Sequence, residues 1–400
     1  MKQNQLTDRF SQNGLRTTAD RFHVRVPYTE MDQTRVFSSH YCSEKPNRDM
    51  MAGLSTQLQD LRDDNGHLDY SQLEPNERTI HFLRQYAKKG KYPDESYVVD
   101  PTFNAPDEII DDRIRAALWV VDQLLTDDHV QELAEHLYEQ LDGRKNKTIN
   151  ILRNQVAEAG DVSYNFLSPT YDEILIEKLD DYFKENYPED NVRFDMKTAL
   201  RLNDTLRVYS TPVERLARLP FIDTDDLMPK VDGEMILIAD EHVQSAGMSS
   251  TLFSLSKELG GEVLGITTLT SHPTTQDISL SPEVRDMVID YANHTTDQDG
   301  AEVLENTLNT LGLSLDTITN REGLYILALL MDGEDKEQFD EFIALEKSLS
   351  EGIEVVESVE DNVRRALTDT PLTVYMLKEQ IDTLVAHRPD HFYNNHEPSL

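Results

Sequence analysis

The alternation of apolar and polar positions changes character twice along the chain. Residues 1–105 are polar and turn-rich, with one short helical pattern over residues 77–89. From residue 106 to residue 275, β-prone runs alternate with helical patterns, whereas residues 276–400 contain helical patterns alone. These changes predict an N-terminal accessory region (1–105), an α/β domain (106–275) and a C-terminal helical region (276–400).

The pattern of the middle region predicts a parallel sheet wound by helices. Two helical patterns occupy residues 107–141, and a third runs from Tyr171 to Tyr187. Runs of β-branched and aromatic residues predict strands at residues 162–167, 192–196, 205–210 and 235–239. Strands that alternate with helices favour right-handed crossovers between parallel strands, so the predicted fold class is α/β.

A strand, a group of charged residues and a small-residue turn follow one another between Gly233 and Thr270. The apolar run MILIA ends in Asp240, Glu241 and His242, and a helical pattern begins after the turn. In parallel α/β sheets, ligands bind at the carboxyl ends of strands, where the N–H groups of a helix N-terminus favour anions. The segment therefore predicts a phosphate-binding turn formed by Gln244, Ser245, Ala246, Gly247, Met248, Ser249 and Ser250.

The residue types of this segment suit a phosphorylated sugar. Gly247 permits a left-handed backbone and a close approach of the main chain, and the serine hydroxyls can donate hydrogen bonds to a phosphate. Asp240 and Glu241 can accept hydrogen bonds from sugar hydroxyls. The competing interpretation is an ordinary strand-turn-helix unit that binds no phosphate.

The charge balance restricts the classes of partner. The chain has 75 acidic and 38 basic residues, and its formal net charge is -37. This charge repels phosphate backbones and anionic lipids, so it disfavours direct nucleic-acid and membrane binding. Solubility or adaptation to salt explains acids that are spread along the chain better than imitation of DNA does.

The cysteine content and the length of apolar runs indicate a cytoplasmic location. Cys42 is the only cysteine, so an intrachain disulfide is excluded. The longest apolar run, LYILALLM, is far shorter than the roughly 20 residues of a spanning helix, and the N-terminal residues lack the apolar segment of a signal peptide.

One trio of side chains has the spacing of metal ligands. His129, Glu132 and His136 share one face of a predicted helix. In so acidic a helix, a solvated face is the preferred interpretation, and no metal-binding residues are predicted from the sequence.

Residues 235–250 resemble the phosphoribosyl pyrophosphate (PRPP) binding motif of type I phosphoribosyltransferases. An ungapped alignment on Gly247 places Glu241 and His242 in the two acidic positions of that motif, and a gapped one places Asp240 and Glu241 there. The resemblance implies a phosphoribosyltransferase-like parallel-sheet core that binds PRPP or a nucleotide containing ribose 5-phosphate. It also implies Mg²⁺ and, in an active enzyme, transfer of the phosphoribosyl group to a nitrogen acceptor.

The sequence departs from the family pattern at two positions. His242 stands where the ungapped alignment expects an acid, and the pyrophosphate loop would fall to Ser168, Pro169 and Thr170, where the usual glycine and basic residue are missing. Three interpretations stay open: an active phosphoribosyltransferase, an inactive regulatory or interaction protein of that fold, and an acidic binding protein such as a DNA mimic. A homodimer and a protein partner on the C-terminal helical region are compatible with each.

Overall fold

The computed structural model describes most of the chain from residue 107 onward and one short segment before it. The described residues are 34–41, 107–156, 167–202, 213, 221–222, 230–243, 246–295, 299–353, 359–367 and 370–386. The predicted helix at residues 77–89, the strand at 205–210, and Cys42, Gln244 and Ser245 lie outside them.

Ten helices and six strands occupy the described residues. The strands are β1 (Val36–Tyr41), β2 (Thr148–Val156), β3 (Arg193–Leu202), β4 (Phe221–Ile222), β5 (Met235–Val243) and β6 (Glu262–Ser271). The helices of the α/β part are α1 (Asp107–Leu124), α2 (Asp127–Leu141), α3 (Leu167–Asn186) and α4 (Gly247–Glu258). After a 3-10 helix (Pro273–Thr275) come α5 (Pro282–His294), α6 (Gly300–Thr310), α7 (Asn320–Leu330), α8 (Lys336–Leu349), α9 (Val359–Ala366) and α10 (Val374–Ala386).

The described strands form one sheet in the order β1-β6-β5-β2-β3-β4. Neighbouring strands from β1 to β3 are parallel, and β4 pairs antiparallel with the end of β3. The predicted α/β class with a parallel sheet is therefore confirmed, and the predicted strand at residues 192–196 is the start of β3.

The sheet includes a strand from the region predicted to be an accessory. In β1, Val36 pairs with Ile266 and Tyr41 pairs with Ser271 of β6. Val36 and Phe37 are buried in the cores on the two faces of the sheet. The predicted boundary near residue 105 was wrong in this respect, because polar flanking sequence hid a six-residue edge strand.

Helices cover both faces of the sheet. On one face α1, α2 and α3 pack through residues such as Val121, Leu133 and Leu175. On the other face α4 packs through Leu252 and Phe253. The near-continuous apolar run of β5 follows from this arrangement, since a parallel strand covered on both faces needs apolar residues at successive positions.

The first strand of the central βαβ unit lies earlier than the sequence pattern indicates. Strand β2 spans Thr148–Val156, and the predicted strand at residues 162–167 lies outside the described residues except for Leu167, which begins α3. Ser168, Pro169 and Thr170 are consequently in the first turn of a helix and not in a loop that directly follows a strand. The polar residues Asn150 and Arg153 interrupt the apolar pattern of β2, which explains why it was missed.

The six helices predicted after residue 276 are confirmed as α5–α10. Their shared core includes Val288, Leu308, Leu327 and Phe342. Helix α7 begins with a capping box between Thr319 and Glu322, which satisfies N–H groups at a buried helix end. The predicted protein partner of this region stays a prediction. Within the described residues, no helix is both long enough and apolar enough to cross a membrane.

Candidate functional site

The topology of the sheet places β2 and β5 at a switch point. From β2 the chain crosses through α3 to β3 on one side, and from β5 it crosses through α4 to β6 on the other side, while β2 and β5 are adjacent. Connections that diverge in this way open a crevice at the carboxyl ends of the two strands, where ligands bind in doubly wound folds. The predicted site residues Asp240, Glu241 and His242 lie near the end of β5 at this edge.

The three predicted charged residues do not share one face of β5. Ile238 packs on the α4 face and Ala239 on the α1–α3 face. The alternation of a strand then assigns Asp240 and His242 to the α4 face and Glu241 to the α3 face. The Nδ1 atom of His242 lies 2.7 Å from the hydroxyl oxygen of Thr270 in β6. Asp240 and His242 therefore face the N-terminus of α4 together, a pairing that neither alignment of the motif contained.

The turn before α4 differs from the prediction at its glycine. Ala246, with φ of 56° and ψ of 9°, adopts the left-handed conformation, whereas Gly247 is the first residue of the helix. The left-handed backbone expected at Gly247 is therefore found at an alanine, while the predicted part of Gly247 in a phosphate-binding turn stays a prediction.

The beginning of α4 is buried, and its N-cap residue, Ala246, has no side chain that could cap the first turn. Gly247, Met248, Ser249 and Ser250 are all buried, and no side chain of the N-cap residue Ala246 bonds the first turn. The first N–H groups of a helix have no partners inside the helix, and they carry the positive end of its dipole. An anion is the ligand for which this local geometry is suited.

A buried ion pair next to β5 is the feature that the sequence prediction missed. Arg153 of β2 donates from Nη1 to Oδ2 of Asp172 in α3 at 3.1 Å, and it donates from Nε to the Thr198 hydroxyl at 2.9 Å. The side chain of Arg153 is 2% exposed and that of Asp172 is 1% exposed. Arg153 pairs in register with Ala239, immediately before Asp240. The position of the charged Arg153 within the apolar run of β2 was the sequence signal that could have indicated this ion pair.

The surroundings of Asp172 disfavour its charged form. Burial raises the pKa of this carboxyl to about 7, although Arg153 attracts the carboxylate and lowers the pKa in part. Repulsion from Glu241 and Glu173 contributes to this raised pKa. The Oδ1 atom of Asp172 is buried without a hydrogen-bond partner. Asp172 and Glu241 are therefore electrostatically coupled across the site.

A second buried chain of polar groups links α3 to α2 through β6. The Tyr171 hydroxyl lies 2.9 Å from the hydroxyl oxygen of Thr267, and Nε2 of His129 lies 3.0 Å from the same oxygen. Burial, and then repulsion from His40, lower the pKa of His129 to about 4, although a backbone hydrogen bond with Ser38 opposes the shift. His129 is thus a neutral ring at neutral pH and serves the packing of α2 on the sheet.

The predicted trio on α2 is not a solvated face. His129 and His136 both contact β6, the latter through Nε2 at 2.8 Å from the carbonyl oxygen of Leu264. Glu132 forms an ion pair with Arg35 at 2.6 Å. The solvated-face interpretation was wrong for the two histidines, because this face of α2 packs on the edge of the sheet. Within the described part of the chain, no group of three or more potential metal ligands is assembled.

Comparisons with known proteins give no family for this chain. Neither the protein-family models nor the curated proteins include a match.

Proposed function

We propose that this protein binds PRPP or a nucleotide containing ribose 5-phosphate at the carboxyl edge of β5. One observation carries the proposal: carboxylates at the end of β5 are followed, after a short turn, by the buried N-terminus of α4, at the switch point of a parallel sheet. A helix N-terminus stabilises an anion, and carboxylates accept hydrogen bonds from sugar hydroxyls. The N-terminus of α4 would therefore suit the phosphate of such a ligand, and the carboxylate would suit its ribose.

Each part of the ligand has a partner in this arrangement. The 5′-phosphate would accept hydrogen bonds from the first N–H groups of α4 and from the hydroxyls of Ser249 and Ser250. Asp240 would accept a hydrogen bond from a ribose hydroxyl on the α4 face, next to His242. Glu241, on the opposite face, lies near Asp172 and raises the pKa of that carboxyl by repulsion, so no ribose contact is assigned to it.

The Mg²⁺ implied by the family resemblance is compatible with these side chains. Carboxylate oxygens are preferred Mg²⁺ ligands, and Asp240, on the α4 face, would supply one. Because Mg²⁺ usually keeps several waters and binds to substrate phosphates, one carboxylate suffices on the protein side. When bound, the ion would neutralise charge on the pyrophosphate group.

Binding without transfer is the second candidate function, and the Arg153–Asp172 pair favours it. Transfer of the phosphoribosyl group needs positive charge near the leaving pyrophosphate. Arg153, a buried basic side chain at this edge, donates to Asp172 and Thr198 and is buried together with its counter-ion. A regulatory protein that recognises PRPP would need the phosphate and ribose contacts but no cation for the leaving group.

A calorimetric titration of the full chain with PRPP and with ribose 5-phosphate, each with and without Mg²⁺, tests the proposal. We expect both ligands to bind, with PRPP tighter in Mg²⁺. Ser249→Asp places a carboxylate in the first turn of α4 and should weaken both ligands about 10-fold or more relative to Ser249→Asn, which has the same shape as the aspartate variant but no charge. Pyrophosphate release with a panel of nitrogen bases then separates transfer from binding.

A matched pair of carboxylate substitutions tests the ribose contact. Asp240→Asn should weaken PRPP binding about 10-fold, because a charge-assisted hydrogen bond is lost. Asp232→Asn, an exposed position before β5 at the opposite end of the sheet, should bind as the parent does. If the parent binds neither ligand, or if Ser249→Asp binds as tightly as Ser249→Asn, the proposal is wrong and an acidic protein-binding function gains support.

A further inference from the structure

Three half-buried tyrosines form an aromatic cluster near the C-terminal ends of α2 and α3. The rings of Tyr138 and Tyr187 are stacked, with their centres 3.7 Å apart and an angle of 5° between their planes. The ring centre of Tyr182 lies 6.3 Å from that of Tyr187. Because α2 and α3 lead into the starts of β2 and β3, the cluster lies at the end of the sheet opposite the candidate site.

Two glutamates of α2 lie beside these rings. Oε1 of Glu135 accepts hydrogen bonds from the Tyr182 hydroxyl at 3.4 Å and from the side-chain amide of Gln131 at 2.8 Å. Burial, followed by repulsion from Glu135, raises the pKa of Tyr182 and that of Tyr187. Glu139 also raises the pKa of Tyr187, and both glutamates are exposed. The cluster therefore combines aromatic rings with carboxylates that are close to them.

The basic residues near this cluster have other acidic partners. Helix α2 itself has several acidic side chains and no lysine or arginine. After α2, Arg144 pairs with Glu262 at 2.7 Å, and Lys145 pairs with Asp190 at 3.0 Å. The two lysines of α3 also form ion pairs with aspartates. Within the described residues, the exposed glutamates of the cluster are consequently left without a salt bridge.

The charges and the rings together select the kind of occupant. A second copy of this chain would bring the same carboxylates against the cluster, and anionic lipids and nucleic acids are repelled as well. A cation is attracted by the carboxylates and also by the negative face of a tyrosine ring, within about 6 Å of the ring centre. Tyrosine is also enriched where proteins bind one another. A positively charged segment of another protein fits these features best.

We propose that this cluster is a docking surface for an arginine-rich segment of a partner protein. The surface is formed by Glu135, Tyr138, Glu139, Tyr182 and Tyr187. A guanidinium is planar, so it can stack on a tyrosine ring while its N–H groups donate to a carboxylate, which the ammonium group of lysine does less well. Because two hydrogen bonds hold Glu135 and a ring stack holds Tyr138, docking costs little side-chain entropy. The surface is separate from the phosphate site at α4 and does not depend on the function of that site.

Fluorescence anisotropy of labelled peptides, titrated with the full chain, tests the proposal. The peptides alternate glycine with arginine, with lysine or with glutamine, and the ionic strength is about 0.15 M, so that distant charges are screened. We expect the arginine peptide to bind about 3-fold more tightly than the lysine peptide, and the glutamine peptide not to bind. Equal binding of the arginine and lysine peptides would indicate general charge attraction and would overturn the proposal.

Matched pairs of substitutions test where the arginine peptide binds. Glu135→Gln and Tyr182→Leu should each weaken its binding about 3-fold, because one removes a carboxylate and the other removes an aromatic ring. The controls are Glu379→Gln, at an exposed glutamate, and Tyr375→Leu, at a tyrosine that is 56% exposed, one turn apart on α10. They should leave the affinity unchanged. If the controls weaken binding as much as their counterparts do, the peptide does not recognise the cluster and the proposal is wrong.

Charge reversal at Glu135 provides a variant that leaves the core intact, because this side chain is exposed. Glu135→Lys should weaken binding of the arginine peptide about 10-fold or more, whereas Glu379→Lys should not. Unchanged binding by Glu135→Lys would contradict the proposal. Sedimentation of the parent and of Glu135→Lys tests the alternative occupant, and we expect the two to sediment alike. A parent dimer that Glu135→Lys dissociates would show that a second copy occupies this surface and would overturn the proposal.

Discussion

Replacing Asp172 with asparagine should remove a pH-dependent loss of stability from this protein. The pKa of Asp172 is about 7 in the folded chain and 3.8 in its ordinary state, so between these pH values the folded state binds a proton that the unfolded state has released. Stability from this group is therefore complete below about pH 4 and is lost as the pH rises towards 7. The difference of about 3 pH units corresponds to about 4 kcal/mol, at about 1.4 kcal/mol per unit.

The asparagine variant mimics the protonated carboxyl and cannot ionise. We expect Asp172→Asn to have nearly the stability of the parent at pH 4 and to be more stable than the parent at pH 8 by up to about 4 kcal/mol. Arg153→Met should move the window of pH dependence upward, because the guanidinium is the group that lowers the pKa of Asp172.

Urea unfolding followed by circular dichroism at pH 4, 5.5, 7 and 8 measures these differences. The control is Asp181→Asn on the same helix, where the side chain is 73% exposed and pairs only with Lys184 at 3.5 Å. Its stability should stay within about 0.5 kcal/mol of the parent. Destabilisation of Asp172→Asn by several kcal/mol at pH 8 would refute the reasoning, because it would show that the ionised pair with Arg153 outweighs the cost of burial.

Three further predictions concern other parts of the structure. The pKa of His129 is about 4 in the folded protein and 6.5 otherwise, so between these pH values the unfolded state binds more protons than the folded state. The free energy of unfolding should therefore fall by about 3 kcal/mol as the pH drops from 6.5 to 4. In urea unfolding, His129→Gln should flatten this slope. Ala246→Val should lower the free energy of unfolding by about 2 kcal/mol or more, because a β-branched residue fits poorly at φ of 56°. Ala246→Gly should have a free energy of unfolding within about 1 kcal/mol of the parent. Equal stability of the two variants would contradict this prediction. A chain that begins at residue 106 should lose about 3–6 kcal/mol from the burial of Val36 and Phe37 and should self-associate in sedimentation experiments, because the edge of β6 is exposed.

The candidate site was predictable only in part. The order of charged residues and small residues after MILIA indicated a ligand edge, and Asp240, Glu241 and His242 lie at such an edge. Their division between two faces of β5 was not predictable from an alignment of letters, because it depends on the pleat of a strand that continues through His242. The left-handed residue was assigned to Gly247 on chemical preference, but the helix begins at Gly247 and not at Thr251, after the predicted turn, and Ala246 has the left-handed backbone.

Local patterns in the sequence by themselves determined the alternation of strands and helices, the helical final third and the strand that ends at the candidate site. Those features depend on apolar periodicity and on capping residues, which are encoded within a few neighbouring positions. Tertiary structure alone decided the rest. Strand β1 joins the sheet through pairing with β6, more than 200 residues away, and Arg153 meets Asp172 because β2 and α3 are packed together. No short window of sequence contains such contacts, since each depends on which elements become neighbours when the whole sheet is assembled.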